Sequence, residues 1–224
     1  QLIENKMVSE DQNIVFAGEI RKNSNRLLTL INDIIRLSEL DAIPQVPEFE
    51  ELDLYKIAQN CVQLLQVNAQ NHNVRILLNG DMQMVYANRQ MMEELIYNLC
   101  DNAIRYNKPE GSVEVNVFQS KRGVVLAVKD TGIGIPCEHQ ERIFERFYRV
   151  DKSRSKETGG TGLGLAIVKH IVAVKLAEQE AREKASVKKA QKQKIMAIIA
   201  SKQDEALQNS SVEDLQKMLD ELGD

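Results

Sequence analysis

All ten aromatic residues and all four prolines of this chain lie before residue 150. From Lys175 onward there is no aromatic, no proline and one glycine, Gly223, while 19 of the 50 residues are charged. Such a segment lacks the material for a conventional mixed core but reads well as helix. Any α/β domain must therefore be built upstream. A length of 224 residues suits one full domain with an appendage, or two small domains.

With 43% hydrophobic residues the chain can bury a sizeable core. A net charge of -4 and a pI near 5.6 argue against a general binder of nucleic acid or anionic membranes. The longest apolar stretch, from Gly164 to Val174, is interrupted by Lys169 and His170, and falls short of the roughly 18 residues a membrane span requires. The first residues show no basic-then-apolar signal pattern. Cys61, Cys100 and Cys137 are odd in number and form no Cys-x-x-Cys pair, which fits free thiols in a reducing cytoplasm. The expectation is a cytoplasmic protein with no nucleic-acid or membrane partner.

Three pieces follow. In residues 1–43, Leu27, Leu30, Ile31, Ile34 and Leu37 keep the spacing of one apolar helical stripe. Ser9 or Asp11 is a candidate cap, and Pro44 and Pro47 forbid continuation. That stripe needs a partner, either another helix or a second copy of the chain. Residues 48–173 alternate helices and strands. Helices are predicted at Leu54–Asn71, with Ile57, Cys61, Leu64 and Leu65 on one face, and at Arg89–Tyr106, with Met92, Leu95, Ile96, Leu99 and Ala103 inward. Short strands at Val74–Leu78 and Met82–Tyr86 flank a Gly80-Asp81 turn. Ser112–Phe118 and Val124–Lys129 read as a hairpin about Lys121-Arg122-Gly123. The mixture implies a sheet covered on one face by helices. In residues 174–224, one helix runs to about Gln208 and another starts near Val212, capped by Ser210 or Ser211.

Four short stretches of the middle piece carry chemistry. Asn98 and Asn102 are one helical turn apart, with Arg105, Tyr106 and Asn107 beyond. Their amide oxygens suit Mg²⁺, although two such asparagines alone are more often polar surface. Asp130-Thr-Gly132-Ile-Gly134 follows a strand; its glycines allow close approach of a ligand and its carboxylate can accept from an exocyclic amine, but an ordinary turn has the same composition. Phe144-Glu-Arg-Phe147-Tyr148-Arg149 offers two phenylalanines as core anchors and arginines that are solvated or aimed at phosphate. Gly159-Gly160-Thr161-Gly162-Leu163-Gly164 opens a helix, where unpaired N–H groups and the dipole favour an anion.

Together and in this order, these stretches resemble the N, G1, F and G2 boxes of the sensor histidine kinases of two-component signalling, and residues 25–41 resemble the second helix of that family's dimerisation and phosphotransfer hairpin. The resemblance covers about residues 1–172. It implies the α/β (α+β) sandwich, the Bergerat-type ATP-binding fold shared with gyrase, heat-shock 90 and MutL proteins, preceded by a long amphipathic helix and followed by a helical tail. It further implies ATP and Mg²⁺ as cofactors. Asn102 would hold the metal, with Asn98 beside it; Arg105, Tyr106 and Arg149 would face the phosphates. Asp130 would accept from the adenine amino group, Gly132 and Gly134 would clear room for the base, and Gly160, Thr161, Gly162, Leu163 and Gly164 would wrap the phosphates. Residues 150–159 would form a mobile nucleotide lid. Asn98 stands where related hydrolases place a water-activating glutamate, and an amide is no general base. Phosphoryl transfer is therefore expected over efficient hydrolysis.

Two departures matter. His72, His139 and His170 are the only histidines, and none lies in the family's phosphoacceptor motif. The expectation is a catalytic fragment whose acceptor histidine is supplied elsewhere, with the acceptor helix and a response regulator as partners and homo-oligomers formed through helices. After Val172 the family's Gly-Gly turn and last strands are missing, which would leave an open sheet edge. The tail is a fusion joint, a natural variant covering that edge, or a separate partner-binding pair of helices. A non-catalytic nucleotide-binding or scaffold module is the alternative reading of the whole.

Overall fold

In the computed structural model, which describes residues 10–41, 47–150 and 160–221, α1 (Glu10–Asp41) is the expected N-terminal helix. Its last described residue is Asp41; Pro44, like Ser9, lies outside the described residues. Asp11 falls inside the helix rather than at its cap. Leu27, Ile31 and Ile34 of the stripe are exposed, and Leu30 is half-buried.

The domain begins with β1 (Glu50–Asp53), which runs straight into α2 (Leu54–Asn71). The turn between them is set by Asp53, whose carboxylate accepts the Tyr55 N–H at 3.0 Å as an N-cap. Next come β2 (Arg75–Gly80), β3 (Met84–Ala87) and α3 (Arg89–Arg105). Asn88 caps α3 by accepting the Met91 N–H at 3.0 Å. β4 (Ser112–Ser120) and β5 (Gly123–Asp130) form the expected hairpin, with Ser120 opposite Gly123 across the Lys121-Arg122 turn.

Gly80, expected in a turn, is instead the last residue of β2, and β2 and β3, separated by residues 81–83, enter different sheets. β2 runs parallel to β4, with Ile76 opposite Val113 and Leu78 opposite Val115, in a three-stranded sheet of order β2-β4-β5. β3 pairs antiparallel with β1, which the sequence reading did not anticipate. Glu-Glu-Leu-Asp is a poor strand sequence; Leu52, 2% exposed, is its one buried side chain.

α2 and α3 cover one face of the larger sheet. Ile57, Cys61 and Leu65 of α2 and Ile96, Cys100 and Ile104 of α3 pack in one cluster with Val113, Val115 and Val117 of β4. Leu64, expected on the inner face, is 75% exposed. The buried arc of α2 runs from Ile57 round to Val62, and Leu64 sits just beyond its edge. Leu99 is half-buried. The larger sheet ends at β5 among the described residues, and Gly123 to Val128 are all half-exposed, whereas β4 alternates buried and half-buried positions.

The chain divides into two compact units, Gln1–Ala173 and Val174–Asp224. α4 (Gly164–Gln208) runs through the division as one helix, because no glycine or proline follows Gly164 before its end. In the first unit Leu163, Ile167 and Ile171 pack on Met91, Met92 and Leu95 of α3. In the second, Lys175–Glu178 and Lys184–Glu180 ion pairs lie along the helix. α5 (Val212–Glu221) starts from Ser211, whose carbonyl accepts the Leu215 N–H at 3.0 Å. No described helix is long and apolar enough to cross a membrane.

Candidate functional site

The C-terminal half of α3, the end of β5 and the start of α4 converge. On α3, the Asn98 Nδ2 donates to the Glu94 carbonyl at 2.9 Å, which fixes the side chain. A Cβ on Gly164 would lie 2.8 Å from Asn98 Oδ1 and 3.7 Å from Asn102 Nδ2, so the glycine lets the loop backbone rest against both amides. Arg105 is held along the helix flank, its Nε 2.7 Å from Asp101 Oδ2, while Asp101 Oδ1 accepts from Asn68 at 3.0 Å.

Tyr106 caps α3 and touches both glycine loops. Its carbonyl accepts the Ile133 N–H at 3.1 Å and lies against Gly132, where a side chain would collide with it. Its hydroxyl would be 3.0 Å from a Cβ on Gly160, and the Arg149 Nη2 would be 3.7 Å from the same point. Asp130 is exposed at the end of β5, and its Oδ1 accepts the Gly132 N–H at 2.8 Å. Gly134 has φ +69 and open space around it.

In the second loop, Thr161 Oγ1 accepts the Leu163 N–H at 3.3 Å, and Leu163 is fully buried. The Gly162 carbonyl accepts the Phe147 N–H at 2.9 Å, so backbone joins the Phe144–Arg149 stretch to this loop. The phenylalanines were expected as core anchors, but Phe144 and Phe147 are 37 and 55% exposed. Local polar contacts shape this segment instead: His139 Nδ1 and the Tyr148 hydroxyl are 2.6 Å apart, and the Arg142 guanidinium stacks 4.2 Å over the Tyr148 ring. The expected lid lies outside the described residues from 151 to 159, as does Gly159.

Two positioning residues lie inside the stretches read from the sequence but were given no role there. Asn107 Nδ2 donates to the Ala103 and Ser112 carbonyls, and Thr131 Oγ1 donates to Asn107 Oδ1 at 3.2 Å while accepting the Ser112 N–H at 2.9 Å. Together they lock the end of α3 to the starts of β4 and of the Asp130–Gly134 loop. Their only signal in the sequence is a polar residue inside a tight connection.

Among the described residues no group of three or more His, Cys, Asp or Glu could hold a metal. A cation here would rest on the amide oxygens of α3 and on the ligand's own oxygens. That hard, neutral donor set beside a glycine cradle fits a Mg²⁺ ion that keeps phosphate and water ligands.

Comparison with known proteins bears on the fold and the family. Residues 87–197 match the family model for the histidine kinase-, DNA gyrase B- and HSP90-like ATPases. The chain is 41% identical over 161 residues to the sensor-like histidine kinase SenX3 of Mycolicibacterium smegmatis, covering 70% of this chain and 41% of that protein. It is 33% identical over 155 residues to the phosphate regulon sensor protein PhoR of Pseudomonas aeruginosa, covering 69% of this chain and 35% of that one. The chain thus spans about two fifths of the length of these relatives. Full-length ShkA in complex with AMPPNP superposes with a TM-score of 0.60 at 25% identity, over 75% of this chain and 34% of that structure. Fold and glycine loops together define an ATP-binding domain of the gyrase B and HSP90 class, with α+β architecture and helices on either side. Within that class, the chain carries the ATP-binding domain of the sensor histidine kinases.

Proposed function

We propose that residues 48–173 bind Mg-ATP and transfer its terminal phosphoryl group to a histidine that this chain does not contain. The observation that carries the reading is the approach of Gly164 to Asn98 and Asn102, in a site whose two glycine loops meet at Tyr106. Asn102, with Asn98 beside it, would hold the metal, which when bound neutralises phosphate charge. Asp130 would accept from the adenine amino group in the space left by Gly132 and Gly134. Gly160, Thr161, Gly162, Leu163 and Gly164 would present backbone N–H groups to the phosphates, with Tyr106, Arg105 and Arg149 nearby. Asn98 cannot serve as a base for water, and phosphoryl transfer depends chiefly on positioning and charge neutralisation, so transfer is favoured over hydrolysis.

On this reading residues 1–43 are the second helix of a dimerisation and phosphotransfer hairpin, whose acceptor helix and a response regulator are the partners. Residues 174–224 are a helical appendage. The protein assembles through its helices and works in a reducing cytoplasm. Calorimetric titration with a non-hydrolysable ATP analogue, with and without Mg²⁺, tests the site. Binding that weakens without Mg²⁺ supports it, and the absence of binding at millimolar nucleotide overturns it.

A further inference from the structure

From Lys184 onward, the unit Val174–Asp224 has its charges sorted along the chain. From Lys184 to Lys202, α4 carries six lysines and no acid; from Asp204 to Asp224 there are seven acids and one lysine. Each half also presents apolar side chains to solvent. On α4, Ile195, Ile198 and Ile199 form a one-turn patch, each at least 50% exposed, with Lys192 and Lys202 a turn to either side. On α5, Val212, Leu215 and Leu219 fall on one stripe, and Val212 and Leu219 are more than 70% exposed.

We propose that this tail is a self-association surface: the acidic α5 of a second copy docks antiparallel on the Ile195–Ile199 turn and lysine block of α4, and the contact is reciprocal. Charge sets the direction. An antiparallel pair brings the acidic segment of each copy onto the basic segment of the other, twice by symmetry, whereas a parallel pair opposes lysine to lysine. Lys184 is already paired with Glu180, but Lys188 and Lys192 repel one another at one-turn spacing on a solvated helix, which favours an acidic partner.

The chain's own α5 does not reach the whole surface. Its ten residues span about 15 Å, and a fold-back starts at the connection after Gln208. Lys194 and Lys184 lie about 21 and 36 Å back along α4 from that point. A second copy has no such tether. A nucleic acid would satisfy the lysines but not the isoleucines, and would be repelled by the acidic segment that follows. This inference is independent of the nucleotide-site reading.

The test uses the full chain with Cys137→Ser, leaving the buried Cys61 and Cys100 in place. Chains carrying Met196→Cys and chains carrying Met218→Cys are mixed and gently oxidised, and cross-linked species are identified by mass. The expected result is a mixed 196–218 disulfide dimer in excess over either like-with-like dimer. Lys192→Glu with Lys194→Glu in the Met196→Cys chain should cut its yield at least tenfold, and Asp220→Lys with Glu221→Lys in the other chain should restore it. Association through α1 alone would show neither the 196–218 preference nor the charge-swap rescue. A statistical mixture of cross-links, a yield indifferent to the reversal, or RNA binding by the tail with no mixed dimer would each overturn the proposal.

Discussion

Asn98 Oδ1 lies 2.8 Å from where a Cβ on Gly164 would stand. The contact joins the middle of α3 to the first residue of α4. The Asn98 side chain is anchored by its bond to the Glu94 carbonyl, so it resists moving aside. Gly164→Ala should therefore push the second glycine loop off α3. We expect at least tenfold weaker nucleotide binding by calorimetry, equivalent to about 1.4 kcal/mol. An unchanged affinity would show that this approach plays no part in binding.

Asp130 accepts the Gly132 N–H and, in the proposed function, also faces the adenine amine; two substitutions separate these roles. Asp130→Ala loses both the Gly132 N–H bond and the carboxylate, and should abolish nucleotide binding. Asp130→Asn keeps an oxygen for Gly132 but faces the adenine amine with a second donor. Its melting temperature should match the parent while its affinity falls more than tenfold. Equal affinity of the Asn variant and the parent would remove Asp130 from base recognition.

Incubation of the chain with labelled ATP should leave no acid-labile phosphate on histidine. His72 sits at the end of α2, His139 in a short 3-10 turn and His170 within α4, and none lies in a phosphoacceptor motif. Phosphohistidine at any of the three, found by mass spectrometry, would contradict the proposed need for an acceptor elsewhere.

Burial pushes the Cys61 and Cys100 thiols up from 9.0 to about 11 and about 12, with the carboxylates of Glu93 and Asp101 adding to the effect. The folded state thus prefers the neutral thiols. Their contribution to stability is complete below the unfolded value near 9, and is lost as pH rises through 11 to 12. Urea unfolding should show stability falling across that window. In the native protein at pH 8, an alkylating reagent should modify only the exposed Cys137, and all three thiols after denaturation.

Adjacent leucines on α2 should behave oppositely. Leu65 is 2% exposed and Leu64 is 75% exposed. Leu65→Ala should cost about 2–5 kcal/mol of stability, and Leu64→Ala no more than about 0.5 kcal/mol. Comparable losses in urea denaturation would mean that Leu64 is covered in solution, and would point to a partner on that flank.

What the sequence by itself determined is what a few neighbouring residues settle. The helix Leu54–Asn71 was legible to the residue because Asp53 caps it and Asn73 and Val74 leave the helical path, and the β4–β5 hairpin because of its alternation, although Gly123, expected in the turn, is the first residue of β5. The four site stretches were legible as motifs, since glycines, amides and a carboxylate at fixed spacing advertise close backbone approach. Tertiary structure decided the rest. β1, nearly all acidic, becomes a strand only because β3 supplies the hydrogen bonds its own side chains do not favour. β2 and β3 are separated by only residues 81–83 yet go to different sheets, because β2 finds its ladder partner in β4 beyond α3. Phe144 and Phe147 stay exposed because the backbone bond from Phe147 to Gly162 orients the segment and their rings do not. The meeting of Gly164 with Asn98 belongs to the same class. Each depends on backbone and side-chain partners distant in the chain, and local propensity carries no information about which distant partner closes first or fits best.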